Sequence, residues 1–506
     1  LHLIPQGQRR RIEALCVQTQ YGVSIVVPSL RPILPWVALF DAPIRARLVR
    51  DWPEILLEGG DPASLPQEDR KTLLRHYCSK LAASPGPRLP FDQSALQRLI
   101  SNDMAPLIRS LANEHVGNEW VERLLLRCIE IGALTDLADL AIGMACQPDQ
   151  SLYTRQSAML AVRAVASDDE LESTAQKVSS DPSLKDRRAL TQFIDCFDRQ
   201  HIPVQTLTEL IGAVNQPKRH ESDGLIRAIQ GYVAECRLDA LSVIVDAAAR
   251  HIKSKPHIEK RYFEVSKSHA WMLNFAIPAC ERLVDARHAA ALSENALIIL
   301  SLVKSSRDFE VREVETNLGE KIPAWPELNS ALFWHVVGSA RRMRRKKDGA
   351  RLTDWWHAHS YRHQWRFSDD DLDLVIGWIE ERDLQDDKLV ALSLAFTLYR
   401  EANRPQSVRR RLWKTVEGNQ ELGDTLKRLL NPPRKTKEEK RSQKSHAQWE
   451  RRNKARLAAT EANNEDWKKV LPNRLAEIRN EKLAGEGYIW NSQIYLFERM
   501  CEKRDG

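Results

Sequence analysis

The stretch Trp355–His363 (WWHAHSYRH) brings His357, His359 and His363 together, with Asp369, Asp370, Asp371 and Asp373 close behind. His359 and His363 stand at i and i+4, which puts two imidazoles on one helical face where they could share a divalent metal. Neither an HExxH glutamate nor a nearby Cys completes a ligand set. The segment therefore reads as Trp/His packing and hydrogen bonding, with the Asp cluster at a helix N-terminus, where carboxylates complement the dipole. No metal is assigned.

Two basic runs carry a different chemistry. Arg341–Lys347 (RRMRRKK) places Arg341, Arg342, Arg344, Arg345, Lys346 and Lys347 just ahead of three tryptophans. Cations interleaved with aromatic rings can hold phosphates and stack on bases. The competing reading is a solvated helix end whose cations suit the C-terminal dipole. Residues Arg434–Arg456 hold ten Lys/Arg against three Glu, among them Arg434, Lys435, Lys437, Lys440, Arg441, Arg451 and Arg452. A basic arm with few apolar anchors could grip nucleic acid in a salt-dependent way. It could equally be a solvated helix or a spacer. These two runs are the candidate contacts to a polyanion or to a partner.

Catalytic motifs are missing. No GxxxxGK[ST] phosphate loop, no GxGxxG after a strand and no GxSxG elbow occurs. Fourteen His and eight Cys are scattered without a spacing that selects a Ser/His/Asp or Cys/His arrangement. The chain reads as non-enzymatic, with no catalytic, cofactor or metal residue of its own.

The elements that must position these runs are helical. Asn118–Ala166 reads as three helices in series: Val121, Leu124, Leu125, Cys128, Ile129 and Ile131 recur at steps of three and four, then Leu137, Leu140, Ala141 and Met144. After a Pro148-Asp149 break, Ala158, Ala161, Val162 and Val165 form a third stripe, small enough for helices to approach closely. Arg155 standing just before an Ala-rich helix, after a Pro/Asp turn, is the pattern of HEAT-like repeats. Further breaks fall at Gly117, Asp181-Pro182, Ile202-Pro203, Asn215–Arg219, Lys255-Pro256 and Ala276-Ile277-Pro278. Their spacing fits helix pairs stacked into a solenoid.

Upstream, Pro32 and Pro35 open a helix whose apolar face includes Leu34, Val37, Ala38 and Phe40, and Asp41 can cap the next helix. An N-terminal basic amphipathic helix (Arg9, Arg10, Arg11) leads to the apolar run Val23–Val27. Downstream, Asn329–Met343, Leu372–Ile379, Lys388–Arg400 and Val408–Leu430 read as helices, and Ile489, Trp490, Ile494, Leu496 and Phe497 as a last amphipathic piece. The fold class is all-α, a HEAT-like superhelix with a charged C-terminal arm. Four divisions follow: a connector (1–83), a first solenoid (84–304), a Trp-rich second segment (305–433) and the arm (434–506).

Composition narrows the class. A chain of 506 residues with 42% hydrophobic and 29% charged content suits a soluble helical protein, and only 20 glycines disfavour a Rossmann core or a large sheet. The cysteines form no CxxC pair, and Cys128 and Cys146 sit on apolar stripes, as reduced core thiols do in the cytoplasm. No run nears the ~18 apolar residues of a membrane span, and three prolines and an arginine interrupt Ser24–Ala42. The start at Leu1 rather than Met fits a processed or excised portion of something longer. The net charge of +7 equals that of Arg434–Arg456 alone, so no general polyanion-coating surface is indicated.

Four stretches in order carry a family resemblance: VPSLRPILPWVALFD (Val27–Asp41), EILLEGGDPASLPQEDRKTLL (Glu54–Leu74), LTDLADLAIGMACQPDQSLYTRQSAMLAVRAV (Leu134–Val165) and KLVALSLAFTLYRE…LLNPPRKTKEE (Lys388–Glu439). Together they resemble the helical sensor region of large bacterial STAND/NACHT-like NTPases, relatives of NLR immune receptors. The resemblance implies a sensor that binds a protein trigger, commonly from phage, or a partner subunit, and that takes part in homo-oligomer formation. ATP and Mg would belong to an associated NTPase on an upstream segment or separate subunit, since this chain lacks the Walker motifs. The expected function is recognition in antiphage defence. The alternative is a nucleic-acid-binding helical protein using Arg341–Lys347 and Arg434–Arg456.

Overall fold

A computed structural model describes residues 14–83, 93–216, 223–260, 263–309, 316–347 and 367–431, with 444–445, 448–449, 451–456 and 458 beyond them. The fold is all-α, with two short hairpins as its sheet structure among the described residues. Two compact units divide the chain, residues 1–409 and 410–506.

The first unit opens on a hairpin, β1 (Val17–Gln20) with β2 (Val23–Val26), paired in the register Val17↔Val26. Its two-residue turn is Tyr21-Gly22, both at positive φ (55° and 81°), the conformation that matches strand twist. Helices α1 (Leu34–Phe40), α2 (Ala42–Asp51), α3 (Gln67–Ala83), α4 (Gln93–Leu99) and α5 (Ala105–Glu114) follow. Asp41 caps α2 as expected, its carboxylate accepting the Ile44 N–H at 3.1 Å.

The middle of the unit is built from α6 (Glu119–Gly132), α7 (Ala138–Ala145), α8 (Leu152–Val165), α9 (Asp168–Ser179), α10 (Arg187–Cys196), α11 (Val204–Ala213), α12 (Leu225–Glu235) and α13 (Leu238–Ile252). It continues through α14 (Leu273–Asp285), α15 (Glu294–Leu302), α16 (Leu318–Lys321) and α17 (Pro326–Lys347). Packing follows a rule of alternation. The row α6, α8, α10, α12, α14 runs helix against next-but-one helix, and so does the row α11, α13, α15, α17. Ala158, Ala161 and Val162 of α8 are fully buried, and their small size lets α8 lie against both α6 and α7. Each large apolar side chain so enclosed contributes roughly 1.5–3 kcal/mol.

Arginines cross-link successive layers of this stack. Arg109 of α5 makes a bidentate pair with Asp139 of α7 at 2.7 and 2.8 Å. Arg155 pairs with Asp181 at 2.8 Å and donates to the Ser183 hydroxyl at 2.6 Å, with both charged side chains under a tenth exposed. Arg187 pairs with Asp223 while lying over the Trp271 ring at 4.4 Å. Arg282 donates to the carbonyl oxygens of Val233 and Cys236, the latter at 2.8 Å. Asp181 and Asp223 also accept backbone N–H groups, from Ser183 and Leu225. One carboxylate thus caps its own segment and holds the preceding layer.

The unit ends with α18 (Leu372–Glu381) and α19 (Gln385–Glu401). Here the Trp-rich sequence makes a core: Phe333 stacks on Trp378, and Phe367 meets both rings edge-on. The division between units falls inside α20 (Gln406–Thr415), and α21 (Gln420–Leu430) lies wholly in the second.

Several local readings need correction. Ala276-Ile277-Pro278 is no break, because Pro278 sits inside α14. A proline there frees the carbonyl four residues back; that carbonyl, on Asn274, accepts instead from the Gln230 amide at 2.8 Å. Phe40 leaves the buried face of α1, which is Leu34, Pro35 and Ala38, and is 60% exposed. Arg155 lies within the first turn of α8 rather than before it. Val408–Leu430 is two helices, since Gly418 turns the chain at φ 85° and Asn419 caps α21. After Lys255-Pro256 comes a second hairpin, β3 (His257–Lys260) with β4 (Phe263–Ser266), where continuing helix was expected.

Candidate functional site

The first basic run is the C-terminal end of α17, a helix that begins at Pro326 and buries Leu332, Phe333, Val336, Val337 and Ala340. This periodicity sends Arg341 inward, where it pairs with Asp387 of α19, both side chains largely buried. Arg342, one position on, is exposed and donates to the Ser339 hydroxyl at 2.9 Å. Arg344, Arg345, Lys346 and Lys347 continue the helical backbone; their side chains lie outside the described residues. The helix phase therefore separates Arg341, an internal cross-link, from Arg342, which faces solvent.

The second basic run is described only in part. Arg451 and Arg452 are helical and exposed, as are Lys454 and Arg456, whereas Arg434, Lys435, Lys437, Lys440 and Arg441 lie outside the described residues. His357, His359 and His363 lie outside them too. Asp369–Asp371 do form a helix start: the Asp371 carboxylate accepts the Ser368 N–H at 2.8 Å in a reciprocal capping box ahead of α18. Among the described residues no group of three His, Cys, Asp or Glu could hold a metal, and no helix is long and apolar enough to cross a membrane.

Among the described residues, four buried thiols are held protonated by their surroundings. Burial pushes the thiols of Cys78 and Cys196 up to about 12, and those of Cys128 and Cys280 higher still. A thiol so protonated is a poor nucleophile. The Ser254 and Ser266 hydroxyls both approach Nδ1 of His269, at 3.1 and 3.0 Å. Ser266 is fully buried, and burial lowers the His269 pKa. Among the described residues no carboxylate orients this ring, so the cluster clasps the β3–β4 hairpin to the end of α13 rather than forming a nucleophile–base pair.

Two surface constellations escape a reading from spacing alone. Arg123 of α6 lies over both Trp120 and Tyr153, 5.4 Å from each ring, and Tyr153 is 54% exposed. Arg, Trp and Tyr held rigid at a surface are the residue types that dominate protein interfaces. The signal was weak, because Trp120 and Arg123 are one sequence triplet apart while Tyr153 arrives from the next layer. In the second unit, Arg410, Arg411 and Lys414 are exposed on α20 beside Trp413, and Lys427 and Arg428 are exposed on α21. The run RRRLWK was visible in the sequence; reading Val408–Leu430 as one solenoid helix concealed it.

Charge is segregated accordingly. Residues 410–506 carry 23 Lys/Arg against 15 Asp/Glu, leaving 53 against 54 in residues 1–409. The whole positive excess belongs to the second unit's sequence. Comparison of the chain with protein-family models, curated proteins and solved structures gives no match.

Proposed function

We propose that the chain is a non-catalytic recognition scaffold: a HEAT-like superhelix that binds a protein trigger or partner subunit and relays that event to an ATPase and effector carried elsewhere, in bacterial antiphage defence. The observation that carries the scaffold reading is the alternate-helix stack with its Arg–Asp cross-links. Each layer contacts its neighbours and is pinned to them from within, so outward side chains can vary without disturbing the core. The Trp120–Arg123–Tyr153 patch is the preformed contact on that surface. An immobilised Arg and two rings lose little side-chain entropy on binding. The defence setting rests on the resemblance of the four sequence blocks to STAND/NACHT-like sensors.

The test is phage challenge of cells carrying the native gene with its neighbours. Arg123→Ala with Tyr153→Ala should abolish protection while the protein accumulates normally and keeps its Tm. Full protection by that variant, or ATP hydrolysis by this chain alone, would overturn the reading.

A further inference from the structure

We propose that the α20–α21 pair of the second unit is a single-stranded nucleic-acid site, distinct from the basic runs at 341–347 and 434–456. Arg410, Trp413 and Lys414 fall at i, i+3 and i+4 of α20 and so share one face, opposite the buried Leu412 and ahead of the buried Val416. Trp413 and Lys414 also line an open groove of about 700 Å³ whose other wall includes Lys427 of α21. That volume lies in the range of small-ligand sites. The groove is not obstructed at its turn: a Cβ built on Gly418 or Gly423 would meet nothing within 4 Å.

The arrangement assigns separate places to phosphate and base. Arg410 is exposed and lies outside the groove's lining, whereas Lys414, also exposed, lines the groove beside Trp413. Inside the groove, Glu417 and Asp424 accompany the lysines, and Asp424 lies 3.6 Å from Lys427. Those carboxylates disfavour a phosphate track through the groove itself. A base entering there stacks on Trp413, while its backbone runs past Arg410 and Lys414. A duplex keeps its bases inside and cannot use the groove, which selects the single strand. The helix pair itself is net basic: residues 410–431 hold five Lys/Arg against three Asp/Glu. This inference stands independently of the scaffold reading, since its residues and readout are separate.

The experiment is fluorescence anisotropy with the full chain and a labelled oligothymidylate of about 16 nucleotides. It is repeated with a duplex of equal length and with phosphatidylserine vesicles. Binding should weaken steeply between about 50 and 200 mM salt. Replacing Arg410→Gln with Lys414→Gln should lower the log–log salt slope by about 1.4, since each single-strand phosphate contact contributes roughly 0.7. Trp413→Ala should weaken binding roughly tenfold or more at an unchanged slope, and Trp413→Phe should retain most of the affinity. Circular dichroism identifies which variants are folded. The proposal is overturned by a folded Arg410/Lys414 variant with unaltered affinity and slope, by equal affinity for the duplex, or by binding to vesicles without binding to the oligonucleotide.

Discussion

The stack of α6–α15 and the basic helices α20–α21 use the same residue types to opposite ends. In the stack, Arg155 and Arg187 are turned inward, each against an aspartate that also caps a neighbouring segment. On α20 and α21, Arg410, Lys414, Lys427 and Arg428 face solvent. A buried charge is tolerable only when paired and hydrogen-bonded, so the first set is committed to architecture. An exposed charge contributes little to stability and remains available for binding. Counting charge from sequence cannot make this distinction, because it is set by helix phase and by what lies one layer away.

Breaking one inward pair should give the largest effect. Arg155→Ala leaves Asp181 buried without its counter-charge and should destabilise the protein by about 3–5 kcal/mol. Combining Arg155→Met with Asp181→Leu should recover part of that loss, because no orphaned charge remains although the Ser183 N–H loses its cap. Urea denaturation measures both. If the single variant loses less than about 1 kcal/mol, the cross-link is not structural and the contrast with α20 collapses.

The sequence was legible where period and capping agreed. The stripes of α6 and α8 and the Asp41 cap are local facts, and the structure buries those side chains as the spacing requires, except Ile131 at the end of α6, which is half-buried. It was illegible where a distant group settled the outcome. Pro278 looks like a breaker until Gln230, 44 positions earlier, takes the carbonyl that the proline frees. Phe40 looks like core until α1 is seen to bury Leu34 and Ala38 instead. Arg341 and Arg342 are indistinguishable in RRMRRKK, yet the phase of α17 aims one at Asp387 and the other at solvent. The Arg123 cluster needs Tyr153 from another layer, and Trp120 three positions away is its one linear trace.

Acid should sharpen the comparison, because the first unit also holds half-buried histidines. Burial drives His335 of α17 from 6.5 down to about 4, with Arg342 reinforcing the shift. His76, His251 and His269 are lowered by the same cause. A lowered folded-state pKa means that the unfolded chain binds the proton first. The contribution from a neutral His335 is therefore complete above pH 6.5 and is lost as pH falls towards about 4. For His335 alone the loss should be on the order of 1–3 kcal/mol. His335→Leu should flatten the decline of Tm across that window, and a variant with the wild-type pH profile would remove His335 from this account.

The smallest effect is expected at the exposed end of the contrast. Arg451 and Arg452 are solvent-facing on a helical segment, and neither has an acidic partner among the described residues. Replacing both with Gln should change stability by no more than about 0.5 kcal/mol, within the ordinary range for surface positions. Raising salt should leave the wild-type and variant unfolding midpoints equally spaced, since no pair among the described residues has been removed to screen. A loss beyond about 1.5 kcal/mol would show that these cations are held by partners, as Arg155 is, and that the second unit also turns its charge inward.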